Sequence, residues 1–157
     1  SRREMERILR VVNPLREYAN IDCRFRMMSR NDFPTQAGLA SSASGFAALA
    51  IAAADALGVE LSKEELSTYA RLGSGSATRS IHGGFVYWYT GDSHETCYAE
   101  QLCGPDDFGM SVVIAIISYN KVVNLFECFV VFFWSLRNQP SLAIKQNLLN
   151  GLWNATP

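Results

Sequence analysis

The sequence predicts an α+β domain, because its two halves carry different periodicities. Apolar residues recur at helical spacing through the first half, whereas runs rich in β-branched and aromatic residues, parted by Gly-containing turns, fill the second. Strands mixed with helices, and hairpin-type connections among the later strands, point to an α+β domain. At 157 residues the chain holds one domain with a real core and is too short for two ordinary ones. It contains no internal repeat.

Composition narrows the class. A hydrophobic content of 48% with 18% charged residues is that of a globular protein. The formal net charge of -1 gives no bulk attraction to nucleic acid or to anionic lipid, so any basic site must be local, and neither partner is expected. The four cysteines, Cys23, Cys97, Cys103 and Cys128, show no C-x-x-C spacing, which argues against a zinc ribbon or a redox pair. Cys97 and Cys103 are able to pair in principle, but reduced thiols in a cytoplasmic protein are the expectation. The opening Ser1-Arg2-Arg3-Glu4-Met5-Glu6-Arg7 has charges without an apolar stretch behind them, so it does not read as a signal peptide. Its lack of an initial methionine reads as a fragment or a processed chain.

Taken in order, Met5, Ile8, Leu9, Val12 and Leu15 give an amphipathic helix with arginines on its outer face, which Pro14 is expected to end or kink. Cys23, Phe25 and Met27 alternate with Arg24 and Arg26, so residues 21–28 are expected to form a half-exposed strand. Residues 29–36 are a loop. An alanine-rich helix follows to Leu57, with side chains small enough to pack closely against a sheet, and Gly58 ends it. Ser62-Lys63-Glu64-Glu65 has the form of a capping box, so a short helix is expected from Lys63 to Arg71. After the Gly83-Gly84 break, residues 85–89 read as a strand that turns at Gly91-Asp92 into a partner over residues 96–102. Residues 111–118 read as a buried strand. The apolar run 122–134 is shorter than the roughly 20 residues that a membrane span needs, and residues 142–153 are weakly amphipathic.

Two Gly/Ser segments carry candidate chemistry. Pro34-Thr35-Gln36-Ala37-Gly38-Leu39-Ala40-Ser41-Ser42 places a tight loop and two hydroxyls at the start of the alanine-rich helix. Unpaired amides and the helix dipole favour a phosphate there. The loop lacks the lysine of a Walker-type phosphate loop, and the plain structural alternative is a serine-capped helix. The second segment is Gly73-Ser74-Gly75-Ser76-Ala77-Thr78-Arg79-Ser80.

Together these segments resemble the GHMP kinase superfamily. Asn31-Asp32-Phe33 through Gly38-Leu39-Ala40-Ser41-Ser42-Ala43 resembles its central phosphate loop, in the Gly-Leu-Ala-Ser-Ser form of the mevalonate diphosphate decarboxylase family. Residues 70–86, with Gly73-Ser74-Gly75-Ser76-Ala77-Thr78-Arg79, resemble that family's substrate loop. The resemblance implies an incomplete GHMP-kinase-like N-terminal domain over residues 1–120, followed by a tail, residues 121–157, that does not resemble the family.

It further implies ATP-dependent decarboxylation of mevalonate 5-diphosphate to isopentenyl diphosphate, with ATP and Mg²⁺ as cofactors and a homodimer as the full-length assembly. In that scheme Gly38, Leu39, Ala40, Ser41 and Ser42 bind the nucleotide phosphates, and Ser42 acts on the transferring group or touches Mg²⁺. Ser74, Gly75, Ser76, Ala77, Thr78 and Arg79 line the substrate pocket. Ser42 and Arg79 are the two expected catalytic residues, Arg79 because a guanidinium offers a planar fork to carboxylate or phosphate. His82 and His94 are read as structural or surface residues, and the aromatic residues 85–89 as strand packing. The resemblance offers Arg2 or Arg3 as a counterpart of a substrate-contacting arginine, but the register is ambiguous and neither is assigned that role. The family's catalytic aspartate motif, Asp-Ala-Gly-Pro-Asn-like, has no match after Tyr119. Related kinases, a monophosphate-specific decarboxylase and a non-catalytic truncated product are the alternatives.

Overall fold

The computed structural model describes residues 2–33 and 40–107, together with the backbone of residues 110–114 and 130–134. Three α-helices, α1 (Arg2–Ala19), α2 (Ser41–Ala56) and α3 (Lys63–Gly73), are followed by a 3-10 helix (Gly75–Ser80). Four strands come next: β1 (Phe85–Trp88), β2 (Ala99–Cys103), β3 (Met110–Ile114) and β4 (Val130–Trp134). The strands form two separate antiparallel pairs, β1 with β2 and β3 with β4. Among the described residues the helices precede the strands, and the mixture of the two fits the α+β expectation.

The core lies among the helices. Val11 and Leu15 of α1, Phe46, Ala47, Ala50 and Ala54 of α2, Ala70 of α3, and Ala77 and Ile81 from the 3-10 segment form one buried cluster. Their positions repeat at three and four residues, so each helix turns one stripe inward. Full burial of a side chain such as Leu15 or Val11, both at 0% exposure, contributes about 1.5–3 kcal/mol. That packing explains why α1 runs on through Pro14 to Ala19 instead of ending there. The proline removes one helical hydrogen bond, a penalty of about 3 kcal/mol, but Val11, Val12 and Leu15 on either side are buried and hold the helix together.

The buried stripe of α2 meets α1, α3 and the 3-10 helix, and among the described residues no strand packs against it. Its end follows the sequence signal. Gly58 takes a φ of 66°, its amide donates to the Asp55 carbonyl, and the Val59 amide donates to Ala54, which closes a Schellman motif. The start of α3 is the expected capping box: Ser62 Oγ accepts from the Glu65 amide at 3.1 Å, and the Ser62 amide donates to Glu65 Oε2 at 2.7 Å.

Residues 21–28 do not form the expected strand. A strand is completed by a ladder, and no described residue pairs with this segment. The segment lies along α1 instead: Cys23, Phe25 and Met27, and Arg24 with them, line a groove with Met5, Ile8, Leu9 and Arg16. The β1–β2 pair forms close to where it was expected. Gly84 precedes it at a φ of 73°, where a Cβ would overlap the Cys103 carbonyl, and a register irregularity follows between Phe85 and Val86. Residues 130–134 form β4, within the apolar run 122–134 to which no element was assigned. Residues 142–153 and Cys128 lie outside the described residues. No helix among the described residues is long and apolar enough to cross a membrane.

Candidate functional site

The start of α2 is open. Ala40 occupies the N-cap in the left-handed region, at φ 53° and ψ 35°, and no side chain caps the helix. Its carbonyl accepts from the Ala43 amide at 2.8 Å and from the Ser44 amide at 3.4 Å, which leaves the Ser41 and Ser42 amides without a partner among the described residues. Ser44 Oγ turns back to the Ser41 carbonyl at 3.2 Å. Ser42 is exposed, and its hydroxyl has no partner among the described residues. The first turn carries no acidic residue. The serine-cap alternative therefore fails here: neither Ser41 nor Ser42 is the cap. Gly38 and Leu39 lie outside the described residues.

The second segment is not an open loop but the 3-10 helix, and most of its polar groups serve its own shape. The Ala77 amide donates to the Ser74 carbonyl at 2.8 Å, and Thr78 Oγ1 donates to the Gly75 carbonyl at 2.6 Å. Ser74 and Ser76 hydroxyls lie 3.4 Å apart. Ala77 and Thr78 have no exposed surface, so their side chains face the core, whereas Gly75 and Arg79 are exposed. The Arg79 guanidinium lies over the Trp88 ring, 5.5 Å from its centroid.

Two joints fix this segment relative to the rest. Arg7 Nε donates to the Gly73 carbonyl at 2.8 Å while its guanidinium sits 4.5 Å over the Phe46 ring. Gly73 has no room for a Cβ, which would overlap that same ring. Phe46 stands one turn after Ser42, so its ring joins the start of α2 to the end of α3. The second joint holds the β1–β2 hairpin to α3. The Ala99 amide donates to Ser67 Oγ at 2.8 Å, and His82 Nε2 donates to the Ala99 carbonyl at 2.9 Å. Sequence reasoning missed Arg7 and Phe46, whose partner Gly73 is distant in the chain, and it read Trp88 as strand packing alone.

Both histidines are structural. His82 is buried on the Ala99 carbonyl. His94 packs edge-on to Tyr69 at 5.1 Å, with Nε2 3.1 Å from Thr68 Oγ1 and Nδ1 3.4 Å from Arg71 Nη2. An arginine only donates, so Nδ1 accepts and Nε2 carries the proton. Burial and then the Arg71 charge push the His94 pKa down, which keeps the ring neutral. Tyr87 meets Tyr89 edge-on at 4.6 Å along one arm of the hairpin, and Tyr89 lies 5.0 Å from Tyr98 across it, which is strand packing. Arg2 is exposed and pairs with Glu6 on the surface of α1. Among the described residues Cys23, Cys97 and Cys103 are free thiols, and no cluster of three His, Cys, Asp or Glu is placed to hold a metal ion.

Residues 1–99 match the diphosphomevalonate decarboxylase-like N-terminal domain. The chain belongs to that family. It is 45% identical over 100 residues to a phosphomevalonate decarboxylase of Haloferax volcanii, covering 64% of this chain and 31% of the relative. It is 46% identical over 99 residues to a diphosphomevalonate decarboxylase of Aspergillus fumigatus, covering 61% of this chain and 24% of the relative. Among solved structures, the mevalonate diphosphate decarboxylase of Staphylococcus aureus superimposes with a TM-score of 0.65 at 46% identity, over 73% of this chain and 35% of that one. A further solved chain, a complex with MVAPP, AMPPCP and magnesium, gives a TM-score of 0.63 at 43% identity, over 71% of this chain and 35% of that one. The family member described here thus spans about a quarter to a third of the length of these relatives.

Proposed function

We propose that this chain carries the phosphate-binding and substrate-binding portion of an ATP-dependent decarboxylase acting on mevalonate 5-diphosphate. The observation that carries the reading is the start of α2: a 16-residue helix whose first amides and Ser42 hydroxyl are left open, with no acidic side chain beside them. That is the donor set an ATP phosphate requires. Magnesium fits less directly. The ion ordinarily binds through one or two carboxylates plus phosphate oxygens, and here Ser42 is the nearest candidate ligand.

When bound, ATP supplies a phosphoryl group to the tertiary 3-hydroxyl of the substrate, after which phosphate and carbon dioxide depart and isopentenyl diphosphate remains. The part of this chain in that scheme is positioning. The Ser41 and Ser42 amides hold phosphate oxygens, and the Ser42 hydroxyl donates to the group in transfer. Ala40 keeps the backbone close because it has only a methyl group. Arg79 presents its planar fork to the carboxylate or diphosphate of the substrate. Ser74 and Ser76 offer hydroxyls, whereas Ala77 and Thr78 reach a ligand only through their backbone.

Residues 1–120 form the partial binding domain in this reading, and residues 121–157 a tail outside it. The setting is a cytoplasmic enzyme, homodimeric at full length. The Haloferax relative favours a second reading, in which the substrate bears one phosphate in place of two. To separate the two readings, residues 1–99 are grafted into an intact diphosphomevalonate decarboxylase, and carbon dioxide release is followed with each substrate. Release from the diphosphate alone supports the first reading; release from the monophosphate alone supports the second. No release from a folded graft overturns both. The 157-residue chain by itself is expected to release none, because no residue after Tyr119 matches the family's aspartate motif.

A further inference from the structure

We infer that Trp88 is a positioning residue: its indole holds the Arg79 guanidinium in the orientation in which Arg79 meets an anionic ligand. The inference rests on the functional reading of Arg79 given above and adds a residue to it. Arg79 is exposed at the end of the 3-10 helix, where a long side chain would otherwise sample many rotamers. Among the described residues its charged end meets the face of Trp88, 5.5 Å from the ring centroid and inside the roughly 6 Å range of a cation–π contact.

The ring is itself held on three sides. Its Nε1 donates to Cys97 Sγ at 3.4 Å. Its Cη2 lies 3.5 Å from the point where a Gly75 Cβ would stand, so the indole spans the start and the end of the 3-10 helix. Its backbone is in register with Ala99, the residue that Ser67 and His82 fix to the helical body. A rigid path therefore runs from α3 through Ala99 to Trp88 and on to Arg79. A stacked guanidinium keeps its donor edge free, so the same contact that restrains Arg79 leaves its fork available to carboxylate or phosphate oxygens.

The test uses the 157-residue chain with ¹⁵N-labelled arginine. In the ligand-free protein the Arg79 Nε–Hε signal is expected to be displaced by the indole ring current and to report restricted motion. Trp88→Leu should move it towards the free-arginine position and mobilise it, and Trp88→Phe should preserve most of the effect. Thermal unfolding identifies variants that fail to fold; in that case Cys97→Ala, which removes only the sulfur acceptor, should produce a smaller displacement in the same direction. Binding of mevalonate diphosphate is then measured by calorimetry. Trp88→Leu should weaken it by about two- to fivefold, Trp88→Phe should restore most of the loss, and in an Arg79→Met background the Trp88 change should have no effect. An Arg79 signal that ignores Trp88→Leu in a folded protein overturns the inference, whatever the binding result. If the signal responds but the parent chain binds no mevalonate diphosphate, Trp88 still positions Arg79, and it is the substrate reading of that segment that falls.

Discussion

Two helices in this chain start beside serines, and they treat them in opposite ways. At α3, Ser62 is the cap, and its hydroxyl and amide are both matched to Glu65. At α2, Ala40 is the cap in a left-handed conformation, and the hydroxyl of the following Ser42 points at nothing described. A helix that needs its serine to fold looks like α3. A helix that keeps donors open at some expense of backbone strain looks like α2, and that expense makes sense only if something else completes the helix end. The segment after α3 sharpens the contrast. Its Thr78 hydroxyl is turned inward, and its contribution outward is a single charge, Arg79.

The contrast can be broken in several ways. The largest effect should come from Ser42→Ala in an intact decarboxylase that carries this segment. Loss of one donor aimed at a transferring phosphoryl group should lower kcat about a hundredfold or more with little change in KM. Near-normal kcat would return Ser42 to the ordinary surface of a helix. In the same graft Arg79→Lys keeps the charge and loses the fork, and kcat/KM should fall about tenfold. Full activity with lysine would mean that only a point charge is needed there.

Stability measurements compare the two helix starts directly. Ser62→Ala should destabilise the chain by about 1 kcal/mol, whereas Ser42→Ala should stay within about 0.5 kcal/mol of the parent, both read from urea midpoints. The Ser62 effect also carries a pH signature. Hydrogen bonds from the Ser62 amide and hydroxyl hold the Glu65 carboxyl below its usual value. A lowered folded-state pKa gives stability that is present above the unfolded carboxylate range and lost as the pH falls through the folded value. The difference between parent and Ser62→Ala should therefore be full at neutral pH and shrink under acid. The smallest effect is expected at the strained cap. Ala40→Gly removes the left-handed penalty but adds unfolded-state freedom, for a net gain of about 0.5 kcal/mol; a loss of stability would mean that Ala40 is not strained.

The same contrast separates what was legible in the sequence from what was not. The capping box at Ser62 and the helix stop at Gly58 were legible because each is a local device, complete within a few residues. Pro14 misled because its cost is local while its compensation, the burial of Val11, Val12 and Leu15, is tertiary. Residues 21–28 misled for the converse reason: their alternation is real, but a strand needs a neighbour that no described residue supplies. The Gly/Ser segments stood out by their residue types and order, and the family resemblance then gave them roles, but neither revealed its hydrogen bonding. Nothing in the letters says that Thr78 faces the core while Ser42 faces outward. Trp88 read as plain strand packing because Arg79, the side chain it supports, lies across a turn and two glycines.

The central claim is that the open start of α2 is a phosphate site. The most direct test is to titrate the ¹⁵N-labelled chain with AMPPCP and follow the backbone amides. Saturable shifts are expected at Ser41, Ser42 and Ala43, diminished by Ser42→Ala and absent at the capped start of α3 around Ser62 to Glu65. Shifts of equal size at both helix starts, or none at Ser41 and Ser42, would contradict it.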